Sequence, residues 1–209
     1  MGAETSRTRA ALLDAAERLM LEEGYAAVTS RRVAAEARLK PQLVHYYFRT
    51  MDDLFLAVFR RRSAQGLARQ AEALASEQPL WALWDLSRDP RGTALTMEFV
   101  ALANHVKAIR AEIAASAERF RAAQLEGLVP VLERYGVAEQ CPPLVFSVLL
   151  SSVSRFLVLE AETLGMGTGH AETVSFVEGF LGRLEGKRRG PNPRRAGTGR
   201  PEKRPAGRP

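Results

Sequence analysis

Thr29-Ser-Arg-Arg-Val-Ala-Ala-Glu-Ala-Arg-Leu-Lys-Pro-Gln-Leu-Val-His-Tyr-Tyr-Phe48 is the stretch that decides the fold. Its spacing predicts two short helices joined by a tight turn. Thr29 is a good side-chain cap for the first, which places Val33, Ala34 and Ala37 on one apolar face. The second starts at Lys40-Pro41, with Pro41 at the first helical position, where its missing N–H costs nothing. Inside it Val44, Tyr47 and Phe48 recur at i, i+3 and i+4 and face inward. Gln42, His45 and Tyr46 recur at the same spacing on another face, with Arg49 one turn beyond His45. The free face of the outer helix thus holds hydrogen-bonding groups rather than a mixed charge coat. That is the layout of a helix-turn-helix reader of DNA.

The flanks extend the pattern. An amphipathic helix precedes it, with Leu12, Ala16, Leu19 and Met20 on one face, and stops at Glu22-Glu23-Gly24, where Gly24 is a natural C-terminal cap. Behind it, Met51-Asp52-Asp53-Leu54-Phe55 opens another helix, whose first-turn acids suit a helix N-terminus.

The block from Arg7 to about Arg62 resembles the N-terminal domain of TetR-family transcriptional regulators. Ala15-Ala16 and Gly24 carry the likeness, followed by Thr29-x-Arg31-x-Val33-Ala34, then Leu43-Val44-His45-Tyr46-Tyr47-Phe48 and the Asp-Asp-Leu that follows. It covers roughly a quarter of the chain. The resemblance implies an all-α fold of about nine helices, with a three-helix helix-turn-helix domain over residues 1–52. A larger ligand-binding and dimerisation domain follows over residues 53–186. Three positions depart from the family pattern. Arg38 stands at the turn position usually held by Gly, so a left-handed conformation there carries strain. Lys40 stands where a small hydroxyl usually caps the second helix, and Met51 where a Lys usually anchors the fourth helix on the DNA backbone.

Charge is distributed unevenly. Residues 1–62 carry a net +3 and residues 63–186 a net −5, while the segment 187–209 holds nine Lys or Arg against Glu202 alone, a net +8. A basic head and tail around an acidic middle fit a protein that touches DNA at its ends, although +3 on its own is also an ordinary solvated surface. The tail is rich in Arg, Pro and Gly and is expected to be disordered, either as a solubilising segment or as a source of non-specific DNA affinity. Its Gly199–Pro201 and Gly207–Pro209 triplets resemble the core of minor-groove AT-hook peptides.

A lone Cys141 excludes an intramolecular disulfide and agrees with a reducing cytoplasm, the expected location. No signal peptide is visible. The apolar run from Leu144 to Leu159 contains four serines and Arg155, short of the about 20 clean residues of a membrane span, and is expected to be a buried helix. No cofactor or metal is implied. His45, His105 and His170 show no ligand spacing with one another or with Cys141, and no Ser-His-acid arrangement is recognisable. Gly165-Met-Gly-Thr-Gly169 lacks the strand and Lys of a phosphate loop and reads as a helix connection.

Helical periodicity continues to the tail. It predicts a fourth helix ending near Ser76, then helices over Pro79–Leu86 and Thr93–His105. A long helix through Ile109 and Leu128 is expected to be kinked or interrupted at Pro130. Two helices, Pro142–Leu164 and His170–Glu185, close the fold. Val145, Leu149, Ser152, Phe156 and Leu159 form one seam in them, and Val174, Val177, Leu181 and Leu184 another. Such seams suit a four-helix bundle with a second copy, or packing on the chain's own core.

The expected DNA-contacting residues are Gln42 for a base, His45 and Tyr46 for bases or phosphates, and Arg31, Lys40 and Arg49 for phosphates; the alternative for Tyr46 is partial burial against the first helix. Thr29 and Leu43 complete the surface. The resemblance further implies a homodimer on duplex DNA and a pocket for a small-molecule ligand. Candidate wall residues are Met97, Phe99, Asn104, His105, Phe120, Phe146, Arg155 and Phe156. Arg155 either holds a ligand carboxylate or pairs with an internal acid such as Glu160. The expected function is a non-enzymatic, ligand-released repressor. The rivals are a DNA-binding regulator without ligand control, and a helical carrier or enzyme.

Overall fold

The computed structural model describes residues 2–189, which form nine α-helices and no strand. The tail from residue 190 on, with its Gly-Arg-Pro triplets, lies outside the described residues. Helix α1 (Gly2–Glu23) is followed by a single 3-10 turn (Tyr25–Ala27), α2 (Ser30–Glu36), α3 (Pro41–Tyr47) and α4 (Met51–Leu74). Then come α5 (Pro79–Ser87), α6 (Pro90–Ala103), α7 (Lys107–Arg134), α8 (Pro143–Leu159) and α9 (His170–Glu185).

Local chemistry sets most boundaries. Thr29 caps α2 by accepting from the Arg32 amide at 3.3 Å, as its position predicts. At the other end of α2, the Leu39 amide bonds the Ala34 carbonyl at 2.8 Å and the Arg38 amide bonds Ala35 at 3.0 Å. That pair of bonds closes the helix in a Schellman motif, which demands a left-handed residue between them. Arg38 supplies it with φ at 55°, the one described non-glycine residue with positive φ. Replacing Arg38 by Gly relieves the Cβ clash, worth about 1–2 kcal/mol, and adds back unfolded-chain entropy of about 0.5–1 kcal/mol. The variant is therefore expected to gain about 0.5–1 kcal/mol in urea unfolding.

Helix α4 begins with a capping box that the first-turn acids only hinted at. Thr50 Oγ1 accepts from the Asp53 amide at 3.1 Å, and Asp53 Oδ2 accepts from the Thr50 amide at 3.0 Å. Two expectations needed correction. Helix α6 starts at Pro90 rather than Thr93, because Asp89 caps it by accepting from the Arg91 amide at 3.1 Å. Helix α7 runs unbroken through Pro130 to Arg134.

The core is in two parts. The first gathers α1 (Leu12, Leu19, Met20), α2 (Val33, Ala34), α3 (Val44) and the start of α4 (Leu54, Phe55, Val58), and it continues without a break into Leu95, Phe99 and Leu102 of α6 and Ile109 of α7. The second gathers Leu80, Trp81, Leu83 and Trp84 of α5 with Leu128 and Leu132 of α7, Phe146 and Leu150 of α8, and Leu181 of α9. A carboxylate from one helix caps another here: Glu185 accepts from the Leu80 and Trp81 amides at 3.0 and 3.1 Å, satisfying the orphan donors of α5. The first residues of the basic tail join this corner, Arg188 pairing with Asp85 at 2.7 Å and Arg189 with Glu77. Cys141 is half-buried, and burial pushes its thiol up, away from a reactive thiolate.

The two terminal seams behave differently. Along α8, Val145, Leu149 and Phe156 are 47, 55 and 58 % exposed, while Phe146, Leu150 and Leu157 turn into the core. The segment Pro143–Leu164 is long and apolar enough by composition to cross a membrane, yet only about a third of it is buried, so it is not the buried helix expected. Along α9 the expected seam faces the chain's own core: Leu181 is fully buried, with Val174, Val177 and Leu184 packed around it. The outward residue is instead Phe176, 74 % exposed.

Candidate nucleic-acid interface and effector cavity

Helices α2 and α3 stand on the first core through Val33, Ala34, Val44 and Phe48, all nearly inaccessible. That leaves Gln42, His45, Tyr46 and Arg49 exposed, with Leu43 half-buried between them. Tyr46 is 75 % exposed, held edge-on against Tyr47 with ring centroids 5.0 Å apart, rather than buried against α1. Thr29, Arg31 and Lys40 are exposed beside them. As the sequence implies, Lys40 makes no side-chain cap bond to α3, so its ammonium is left available.

Ion pairing separates the cations of this head into two groups. Arg18 pairs with Glu36, Arg32 with Glu23, Arg60 with Glu112, and Arg61 with Asp14 and Glu17. These paired groups clamp helices to one another. Among the described residues no carboxylate pairs with Arg31, Arg38, Lys40 or Arg49, which all lie on or beside α2 and α3. Unpaired exposed cations flanking a polar helix face give the chemistry needed to hold phosphates and read base edges. Arg38 belongs to this set and was not among the expected contacts. Its departure from the family glycine hid it behind a conformational argument.

Between the two parts of the core lies a cleft of about 330 Å³, bounded by α4, α5, α6, α7 and α8. Three of the expected wall residues line it: Phe99, Phe120 and Arg155. The other five do not. Asn104 and His105 end α6 on the surface, and Met97 is partly exposed away from the opening. Phe146 is locked in the second core against Phe180, and Phe156 lies on the outer face of α8.

The sequence reading missed the polar half of the wall, which comes from Arg62, Ser63, Arg69 and Gln70 of α4, Ser116 and Gln124 of α7, and Ser147 and Ser151 of α8. Many of these satisfy one another. The Ser63 and Ser116 hydroxyls share a bond, Ser147 donates to Gln124 Oε1, and Gln70 Nε2 donates to the Phe120 carbonyl at 3.0 Å. Arg62, Arg69 and Arg121 approach Glu17, Asp89 and Glu118 at 3.7, 3.5 and 3.9 Å. Arg155 does not pair with Glu160, whose carboxylate bonds His170 Nε2 at 2.8 Å instead. Ser147, Ser151 and Arg155 are spaced four apart along α8, a signal that was present in the sequence.

Helix α6 joins the cleft to the reading head. Thr93, Leu95, Thr96 and Phe99 face the cleft, and Phe99 meets Phe59 edge-on with centroids 5.1 Å apart. On the same helix, Glu98 Oε2 accepts from the Tyr25 amide at 2.7 Å. It lies so close to Gly24 that an added Cβ would come within 3.3 Å of it, and Gly24 holds φ at 82°. Glycine at that joint is therefore required twice over.

Residues 12–58 match the family model described as bacterial regulatory proteins, tetR family. The head therefore matches the DNA-binding domain of that family. Its fold is shared with a TetR transcription regulator from Haloarcula marismortui, at a TM-score of 0.69 and 20 % identity over 84 % of this chain and 96 % of that one. A TetR-family regulator from Rhodococcus sp. superimposes with a TM-score of 0.68 at 16 % identity, covering 86 % of this chain and 99 % of its own. A transcriptional regulator from Saccharomonospora viridis, solved in complex with choline, gives a TM-score of 0.68 at 18 % identity over 84 % and 96 % of the two chains. No curated protein matches the chain in sequence. The match over the head supports a DNA-binding regulator of transcription.

Proposed function

We propose that the protein is a repressor that binds a near-palindromic operator as a homodimer and leaves it when a small molecule fills the cleft. Residues 1–52 are the reading head, residues 53–186 the sensing and dimerising domain. The single observation that carries the DNA reading is the exposed polar face of α3 set among the unpaired cations of α2 and α3. Gln42 pairs bidentately with adenine, His45 and Tyr46 reach neighbouring bases or phosphates, and Arg31, Lys40 and Arg49 hold the backbone. Thr29 and Leu43 position them.

The exposed apolar face of α8, with Phe176 of α9, supports the homodimer, because a monomer rarely leaves such a continuous stripe to water. A membrane is a poor alternative cover, since Arg155 interrupts the helix midway. Two α3 helices about 34 Å apart would then read successive major-groove faces. Release follows from α6: a ligand that prefers a displaced α6 pulls Glu98 against the Tyr25 turn and turns the head. Choline is bound by the relative from Saccharomonospora viridis. The wall here carries four arginines against Asp89 alone, the wrong sign for such a cation.

Selection of random duplexes by the purified chain at physiological salt tests the reading. A near-palindromic consensus is expected. Recovery of duplexes without sequence preference would leave only charge-driven binding and sink it.

The Glu98 joint has its own expected outcome. Glu98→Ala strips the Tyr25 amide of a charged acceptor and lowers stability by about 1–2 kcal/mol. Glu98→Gln keeps an acceptor oxygen and recovers most of that loss. Urea unfolding of the two variants checks the difference.

A further inference from the structure

The cleft has an uneven chemistry. Aromatic and aliphatic side chains, Phe59, Leu95, Phe99 and Phe120 among them, share its lining with serines, glutamines and arginines. Among its charged wall residues, Arg62, Arg69 and Arg121 each have a carboxylate within 4 Å. Arg155 has none among the described residues, although the protein around its charged end is dense enough that burial lowers its pKa. A guanidinium presents donors in a fixed fork and no acceptor, so the group that answers it must accept hydrogen bonds. The residue as a whole is nonetheless exposed, so it is reachable from solvent. Ser147 and Ser151 bring two hydroxyls to the same side of α8, two turns and one turn before it, and both hydroxyls already donate within the protein, to Gln124 and the Ser147 carbonyl. The charged group on this wall without a carboxylate beside it is therefore a cation.

We propose that the effector of this regulator is a small amphipathic carboxylate, its charged end on Arg155 and its apolar body among Phe59, Phe99 and Phe120. The inference rests on the cleft's being the effector site. A carboxylate suits Arg155 because its two oxygens match the guanidinium fork. The cleft volume of about 330 Å³ sits at the small end of ligand pockets, which favours a compact body over a large conjugate. Seating an apolar body on Phe99 presses directly on α6, the helix that holds the reading head through Glu98.

The test is calorimetric titration of the full-length chain with benzoate, phenylacetate, octanoate, decanoate and laurate, each beside its primary amide. At least one carboxylate is expected to bind about tenfold or more tighter than its amide. Arg155→Gln is expected to erase that preference while leaving the amide affinity in place, and Arg155→Lys to restore part of it. If no acid in the series outbinds its amide, or if Arg155→Gln keeps the full preference, the proposal is overturned. It is also overturned if Arg155→Gln halves the mass in sedimentation, since Arg155 would then be answered by an acid of a second copy. Operator release is measured separately, by fluorescence anisotropy of the selected duplex. An acid that binds through Arg155 without releasing DNA would uphold the carboxylate site and overturn ligand-controlled release.

Discussion

Replacing Gln42 and His45 together by Ala is expected to abolish discrimination of the operator from random duplex while leaving the fold intact. Both side chains are exposed on α3 and neither takes part in a recorded hydrogen bond or ion pair, so the core beneath them is untouched. Each good base contact is worth about 1–3 kcal/mol of discrimination, and a dimer loses every contact twice. The Gln42 contact alone then sets a scale of about 2–6 kcal/mol, or about 30- to 25,000-fold in operator affinity. Affinity for non-specific duplex should barely move, because the phosphate-facing cations remain. Anisotropy titrations with the selected and a scrambled duplex at two salt concentrations separate the effects. An equal fall on both duplexes would mean that these residues touch phosphate rather than bases.

The second large effect is expected from Leu149→Glu. Leu149 is 55 % exposed in the protomer, so a carboxylate there costs the isolated fold little. In a bundle built from two copies of α8 and α9 the same carboxylate becomes a buried charge without a partner, a cost of several kcal/mol. The variant should sediment as a monomer with unchanged helix content. Its operator affinity should fall by about 100- to 10,000-fold, the gain that joining two reading heads provides. A variant that stays dimeric would place the interface elsewhere and leave the α8 stripe without a role.

Much of the reading head was legible because its determinants are local. The Thr29 cap, Pro41 in the first turn, the strained Arg38 and the inward Val44–Phe48 pattern all concern residues within a few positions of one another. The start of α6 is written just as locally, in Asp89-Pro90, but Pro at a first position and Pro after a helix look alike. The cleft was less legible. Ser63 of α4 meets Ser116 of α7, and Gln124 of α7 meets Ser147 of α8, across 53 and 23 residues of chain. No local spacing announces such meetings. Aromatic residues chosen for their type alone divided accordingly, Phe99 and Phe120 into the cleft, Phe146 into the core and Phe156 onto the surface. The two terminal seams had the same periodicity, and only packing reveals that α9 turns its seam inward while α8 turns its seam out.

The first part of the core crosses from the head into α6 and α7 without a gap, Leu54 and Val58 lying in one cluster with Leu95, Phe99 and Ile109. The head consequently shares its apolar core with α6 and α7. Cut away after residue 52, it would leave the apolar faces of α1 to α3 facing water, with too little area to bury on its own. In the intact chain, opening the head also means stripping Phe99, so the two halves share one cooperative transition. A molecule that tightens the cleft therefore slows the breathing of amides in α2 and α3, and the free energy of binding is felt as rigidity at the surface that reads DNA.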